Sequence, residues 1–257
     1  MSFLAIGAER VIDLTHELHE DFPTLIGQKQ FSRRRQLAFE KAGINIDTIM
    51  STEHVGTHFD APLHFSENGR SASEVPAAQL VVPLCVIDIR EKVAADPDAR
   101  LSISDLEVWI QHHGSMPDNA CVAMLSGWGR FVGDDKFRNA DVDGKLHFPG
   151  VDAQAAQYLL DETSVVGLAV DTLSLDAGAA TDFPTHRIWL PGGALGPGMR
   201  RQPPRGSTAW RDDHRRRAEA SWWHRRSGSC AGCPISVRSA SPADEVQRTF
   251  RRNRGFQ

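Results

Sequence analysis

The 257-residue chain is 40% hydrophobic, 24% charged and 7% aromatic, with four cysteines, a composition that suits a globular chain long enough to bury a core. No apolar run approaches the roughly 20 residues of a membrane span. The first residues lack a basic signal-peptide start and four cysteines make no disulfide scaffold, so a reduced, cytoplasmic setting is expected.

In chain order, Glu9–Leu14 is a short β-branched stretch that predicts a strand, followed by a turn over Asp21–Gln28 around Pro23 and Gly27. Ile44–Met50 alternates and leads into a histidine-bearing polar stretch, Ser51–Arg70. Val81–Ile89 is a dense apolar run whose length suits a buried strand. Ser104–His112 predicts a helix with Ser104 as N-cap, Glu107 at its third position, and Leu106, Trp109 and Ile110 at helical spacing. Cys121–Leu125 predicts a second buried strand, Val151–Glu162 a helix opened by Asp152, and Val165–Val170 a further strand ending at Asp171. Strands alternating with helices imply an α/β fold with a mixed sheet.

Beyond about Ala194 this order stops. The net charge of -4 hides a balance of -13 over residues 1–199 and +9 over residues 200–257, which hold 14 Arg and no Lys. Pro197, Pro203 and Pro204, an Arg cluster over 211–217, and Trp210, Trp222 and Trp223 fit no amphipathic period. Three readings suit such a stretch: a disordered basic tail, a nucleic-acid-binding arm, or coding DNA translated out of frame. Ala194–Gln202 can be encoded GCG CTG GGG CCT GGA ATG CGT CGC CAA. Shifted by one base, that string reads Arg-Trp-Gly-Leu-Glu-Cys-Val-Ala, which puts a Glu at position 198.

The densest set of metal-capable side chains is His54-Val-Gly-Thr-His58-Phe-Asp60-Ala-Pro-Leu-His64. Imidazoles and carboxylates suit zinc or another first-row divalent ion, and a catalytic site commonly uses three protein ligands. On an extended strand His54 and His58 would lie roughly 13 Å apart, so the chain must curl, and Gly56 permits the backbone that curling needs. Pro62 is expected to end any regular element before His64, leaving that histidine as a proton acceptor on rigid backbone. Cys230-Ala-Gly-Cys233 is a lone Cys-x-x-Cys without partners. Cys85 and Cys121 sit in apolar strands as core thiols. Asp171, Ser174 and Asp176 either line a pocket at a strand end or cap turns.

The string His54-x-Gly56-Thr57-His58-x-Asp60-Ala61-Pro62-x-His64 resembles the signature of the cyclase-type metal-dependent hydrolases, which include bacterial kynurenine formamidases and isatin hydrolases. The resemblance runs over about residues 9–193 through Asp13-Leu14-Thr15, Gly127-Trp128, Phe148-Pro149-Gly150, Asp171–Asp176, Asp182–His186 and Trp189-Leu190-Pro191. It implies a swivelling β/α/β-type fold over residues 1–193 and hydrolysis of a carbon–nitrogen bond in a small substrate. It also implies a homo-oligomer. Carried over by position, His54, His58 and Asp60 would bind zinc or manganese, His64 would act as general base and acid, and Leu25 and Trp128 would meet the substrate. A second ion would share Asp60, add His186, and take a Glu that here is Gly198, so one ion is expected. The shifted frame supplies that Glu, which favours reading the chain from about residue 194 as a frameshift product. Formamidases carry Trp in the early turn where this chain has Leu25, which argues against N-formylkynurenine as substrate. The competing readings are a nucleic-acid-binding protein using its Arg/Trp tail, and a hydrolase inactivated by the altered C-terminal stretch.

Overall fold

The computed structural model describes residues 12–192. The part of the Glu9–Leu14 segment within that range, Ile12–Leu14, pairs in no strand. The proposed frame change, the Cys230/Cys233 pair and the tail tryptophans lie outside the described residues.

The first regular element is an antiparallel hairpin, β1 (Phe31–Leu37) and β2 (Ile46–Ser51), joined through the one-turn helix α1 (Phe39–Ala42). β1 was not predicted, because Phe-Ser-Arg-Arg-Arg-Gln-Leu does not alternate. Its two like-facing arginines instead meet one carboxylate across the ladder: Arg33 and Arg35 both bond Asp47, each at 2.5 Å through Nε. Gly43 closes α1 in the left-handed region at φ 69°.

The buried framework follows. β3 (Leu84–Asp88) leads through α2 (Arg90–Ala95), β4 (Arg100–Leu101) and α3 (Ile103–His113) into β5 (Cys121–Leu125). From there β6 (Gly150–Val151) and α4 (Ala153–Glu162) lead to β7 (Gly167–Val170), and α5 (Pro184–Trp189) comes last. β3, β5 and β7 form a parallel sheet in that order, and β4 pairs parallel with β6. Parallel neighbours need long crossovers, which α2–α3 and α4 supply. Parallel and antiparallel pairing are therefore both present, in separate sheets.

Alternation along β5 and β7 divides the sheet's two faces. Val122, Met124, Leu168 and Val170 are fully buried with Leu106 of α3, Leu159 of α4 and Trp189 of α5. Cys121, Ala123 and Ala169 form a smaller cluster with Leu14, Val82 and Val86. Cys85 and Cys121 are core thiols, and burial pushes the Cys85 thiol up to about 12. α3 begins one turn-fraction earlier than predicted: Ser102, not Ser104, is its N-cap, in a capping box with Asp105. Asp152 caps α4 as expected, accepting from the Gln154 N–H at 2.8 Å. No helix among the described residues is long and apolar enough to cross a membrane.

Candidate active site

β2 delivers the chain at Ser51 into a curl whose pivot is Gly56, at φ 71°. A side chain at Gly56 would be strained there and would also press on Leu18, 3.1 Å away. The curl is pinned from outside by the His16 N–H, which donates to Thr57 Oγ1 at 3.0 Å. Pro62 does not end an element; it opens a 3-10 turn, Pro62–His64, at the position where proline's missing N–H costs least. That turn is backed by Gly69, where a Cβ would stand 2.5 Å from the Pro62 carbonyl carbon, so only glycine lets the two backbones meet.

The folding of this stretch brings the histidines together. His54 Nδ1 lies 2.7 Å from Asp60 Oδ1, and His58 Nε2 lies 3.4 Å from the same oxygen. The His64 ring stacks on His54 with centroids 3.8 Å apart. From the other end of the fold, α5 contributes His186, whose Nε2 is 3.7 Å from Asp60 Oδ2. All four histidines and Asp60 line one cavity of about 260 Å³.

His186 is held by Asp176. The Asp176 carboxylate accepts from the Thr185 N–H (2.7 Å), from the His186 N–H (3.3 Å) and from His186 Nδ1 (2.5 Å), so one side chain caps α5 and aims the imidazole. Sequence reasoning left Asp176 between turn cap and pocket residue. It is a cap, and through the cap it orients a site histidine. The helix itself went unpredicted, because Phe183 enters it from the left-handed region at φ 53° and Pro184 looks like loop punctuation.

The donor set fits a cation. Gly56 O accepts from His58 Nδ1 at 2.8 Å, so in the neutral ring the proton sits on Nδ1 and the Nε2 lone pair faces Asp60 Oδ1. His186 repeats the pattern, with Nδ1 committed to Asp176 and Nε2 facing Asp60 Oδ2. Facing lone pairs repel unless a proton or metal ion lies between them, and a hydrogen-bond acceptor on Nδ1 is the usual companion of a metal-ligating imidazole. One ligand atom each from His54, His58 and Asp60 lie within 4.8 Å of one another.

Electrostatics agree with this geometry. Burial opposes ionisation of Asp60, yet the neighbouring imidazoles of His186, His54 and His58 hold its carboxyl well below the usual carboxylate range. His58 and His186 are lowered by burial but raised more by their carboxylate partners, Asp60 for the first and Asp176 with Asp60 for the second. His64 moves the other way: burial, then the neighbouring His54, lower it.

Much of the rest of the cavity wall is apolar, formed by Phe22, Leu25, Ile26, Phe65, Phe137, Leu173 and Phe183. Leu25 is thus one of the residues lining the cavity. Trp128 is not brought to the cavity: it is 3% exposed, and its indole N–H donates to the Phe137 carbonyl at 2.9 Å. It stands behind Phe137, which does line the cavity. Asp171 is also withdrawn, taking hydrogen bonds from the Ser126 hydroxyl and the Ser126 N–H in the buried core, where burial raises its pKa.

Residues 12–177 match the family model described as putative cyclase. The chain belongs to this cyclase family. Among family relatives, an isatin hydrolase of Roseibium aggregatum is 36% identical over 146 residues, covering 53% of this chain and 54% of that protein. A kynurenine formamidase of Sphingopyxis alaskensis is 30% identical over 99 residues, 38% of this chain and 45% of the relative. The chain thus spans about half the length of the curated relatives it matches. In three dimensions it is similar to isatin hydrolase A from Labrenzia aggregata bound to benzyl benzoate, with a TM-score of 0.66, 32% identity, and coverage of 72% of this chain and 77% of that one. An isatin hydrolase bound to the product analogue thioisatinate gives a TM-score of 0.64 at 28% identity, over 71% and 76% of the two chains.

Proposed function

We propose that this cyclase-family chain is a metal-dependent hydrolase that opens the carbon–nitrogen bond of a small, neutral aromatic amide, with a cyclic amide favoured over a linear N-formyl one. The observation that carries the reading is the convergence of imidazole lone pairs on the two oxygens of Asp60 beside an apolar cavity. His54, His58 and Asp60 would hold one zinc or manganese ion, whose N/O donor set suits either. A bound ion supplies polarisation of the substrate carbonyl and a lowered pKa for its water. His64, stacked on His54 at the cavity wall, would take the proton from the attacking water and return it to the leaving nitrogen. Phe65 and Phe183 flank His186 and would hold an aryl ring against the ligands while excluding bulk water.

His186 and Asp60 Oδ2 offer half of a second cation site. Its remaining ligand by resemblance is the Glu that Gly198 replaces, so one ion per chain is the proposal. Leu25, in place of an aromatic residue, leaves room rather than a stacking plate and favours the cyclic substrate. A substrate panel tests this reading. The metal-loaded chain is expected to hydrolyse isatin faster than N-formylkynurenine, with loss of both activities on chelation. A loaded chain that leaves both amides intact contradicts it.

A further inference from the structure

Besides the histidines and Asp60, the polar side chains lining the cavity among the described residues are Thr24, Gln30, Thr172 and Ser174. A hydroxyl owns one proton and two lone pairs, so the use of each can be followed. The Thr24 hydroxyl donates to the Gln28 carbonyl at 2.8 Å, and the Thr172 hydroxyl donates to the Ser174 carbonyl at 2.9 Å. Ser174 differs. Its Oγ accepts from the Asp176 N–H at 3.2 Å, and an N–H can only donate, so this contact leaves the Ser174 proton unused. Ser174 is 6% exposed, and no acceptor for that proton is present among the described residues. A buried donor without an acceptor is costly, and Ser174 is one of the residues that line the cavity. The Gln30 carboxamide likewise has no partner among the described residues, but it is only half-buried and no second bond among those residues fixes its orientation.

We propose that Ser174 is a specificity-determining residue: its hydroxyl donates a hydrogen bond to a carbonyl oxygen of the aromatic ligand, while its lone pair stays fixed on the Asp176 N–H. This rests on the reading of the cavity as a site for a neutral aromatic amide and adds to it that the ligand presents an acceptor toward the loop after β7. The same loop carries Asp176 and so orients His186. Ser174 therefore ties recognition of the ligand to the geometry of the site.

Two carbocyclic probes that cannot be hydrolysed separate recognition from chemistry: indan-1-one, which has one carbonyl acceptor, and indane, which has none. Their affinities for the metal-loaded chain are measured by titration calorimetry, with metal content determined on the same samples. Ser174→Ala is expected to weaken indan-1-one about three- to tenfold, the worth of one neutral hydrogen bond, and to leave indane and metal content unchanged. Equal weakening of both probes means a purely structural serine and overturns the proposal. So does an indan-1-one affinity that survives Ser174→Ala, or that is lost in Gln30→Ala instead. If Ser174→Ala does not fold, the nearly isosteric Ser174→Cys, a weak donor, is read in the same way. A wild-type chain that binds both probes alike overturns the assignment of Ser174 alone. A chain that binds neither overturns the aromatic-amide reading and this inference with it.

Discussion

Each site histidine has two ring nitrogens, and in this chain the hydrogen bond at one assigns work to the other. His58 gives Nδ1 to Gly56 O, and His186 gives Nδ1 to Asp176. Their Nε2 atoms are thereby turned toward Asp60, which is 6% exposed and shared between them. Among the described residues His64 has no such carboxylate partner, and it lines the cavity. The consequence is a division of labour that substitution can expose. His58→Ala and Asp60→Ala are expected to lose bound metal and activity together. His64→Ala is expected to keep its metal and lose about 100-fold or more in kcat. Metal loss in His64→Ala would show a ligand where a base is assigned. The candidate ligands could be named from the sequence because His54, His58 and Asp60 lie within seven residues and a glycine stands between the first two. For Trp128, a motif match reports a residue pair and not which way the indole points, and the indole N–H is spent on the Phe137 carbonyl. Asp176 was half legible: an acid at a strand end could be named, but its target sits on an element that the sequence did not predict.

At the scale of elements, β3, β5, β7, α3 and α4 could be read from apolar runs and helical spacing because burial on the sheet imposes a pattern. β1, β4, β6 and α5 could not. β4 and β6 are two residues each, too short for any period, and β1 is held by ion pairs across the ladder instead of by a buried face. Ser102 escaped notice beside Ser104 because both precede an acid three residues on; only Asp105 turns back to the N-cap backbone, at 2.7 Å from the Ser102 N–H. A tertiary staple was equally invisible. His147 Nδ1 meets Asp98 at 2.6 Å and its Nε2 meets Asp141 at 3.4 Å, joining the loop before β4 to the loop before β6. The hydrogen bond to Asp98, then that to Asp141, raises the His147 pKa above its ordinary value of about 6.5, with burial opposing. A raised imidazole pKa stabilises the fold fully below the unfolded value and loses that contribution as pH rises through the folded one. His147→Gln is therefore expected to lower Tm more at pH 6 than at pH 9; an equal deficit at both would rule out the charged staple.

On the scale of the whole molecule, two parts of the sequence differ in kind. Residues 14–192 carry the parallel sheet, the hairpin and every candidate ligand described here, whereas residues 200–257 have a charge balance of +9 and no amphipathic period. We propose that the chain from about residue 194 is read from a shifted frame. This predicts that the gene, across the codons for Ala194–Gln202, encodes Trp-Gly-Leu-Glu in the adjacent frame. A gene with no Glu codon there in any frame contradicts the proposal. Restoring the frame would supply a partner for His186, so the same proposal ties the number of ions to the reading frame.

Metal content per chain tests the central claim most directly, because it asks whether the curl around Gly56 assembles a site at all. Elemental analysis of protein purified without chelators is expected to give about one zinc or manganese per chain, abolished by Asp60→Ala. Soluble, folded protein that holds no divalent ion even after incubation with zinc and manganese would contradict the account.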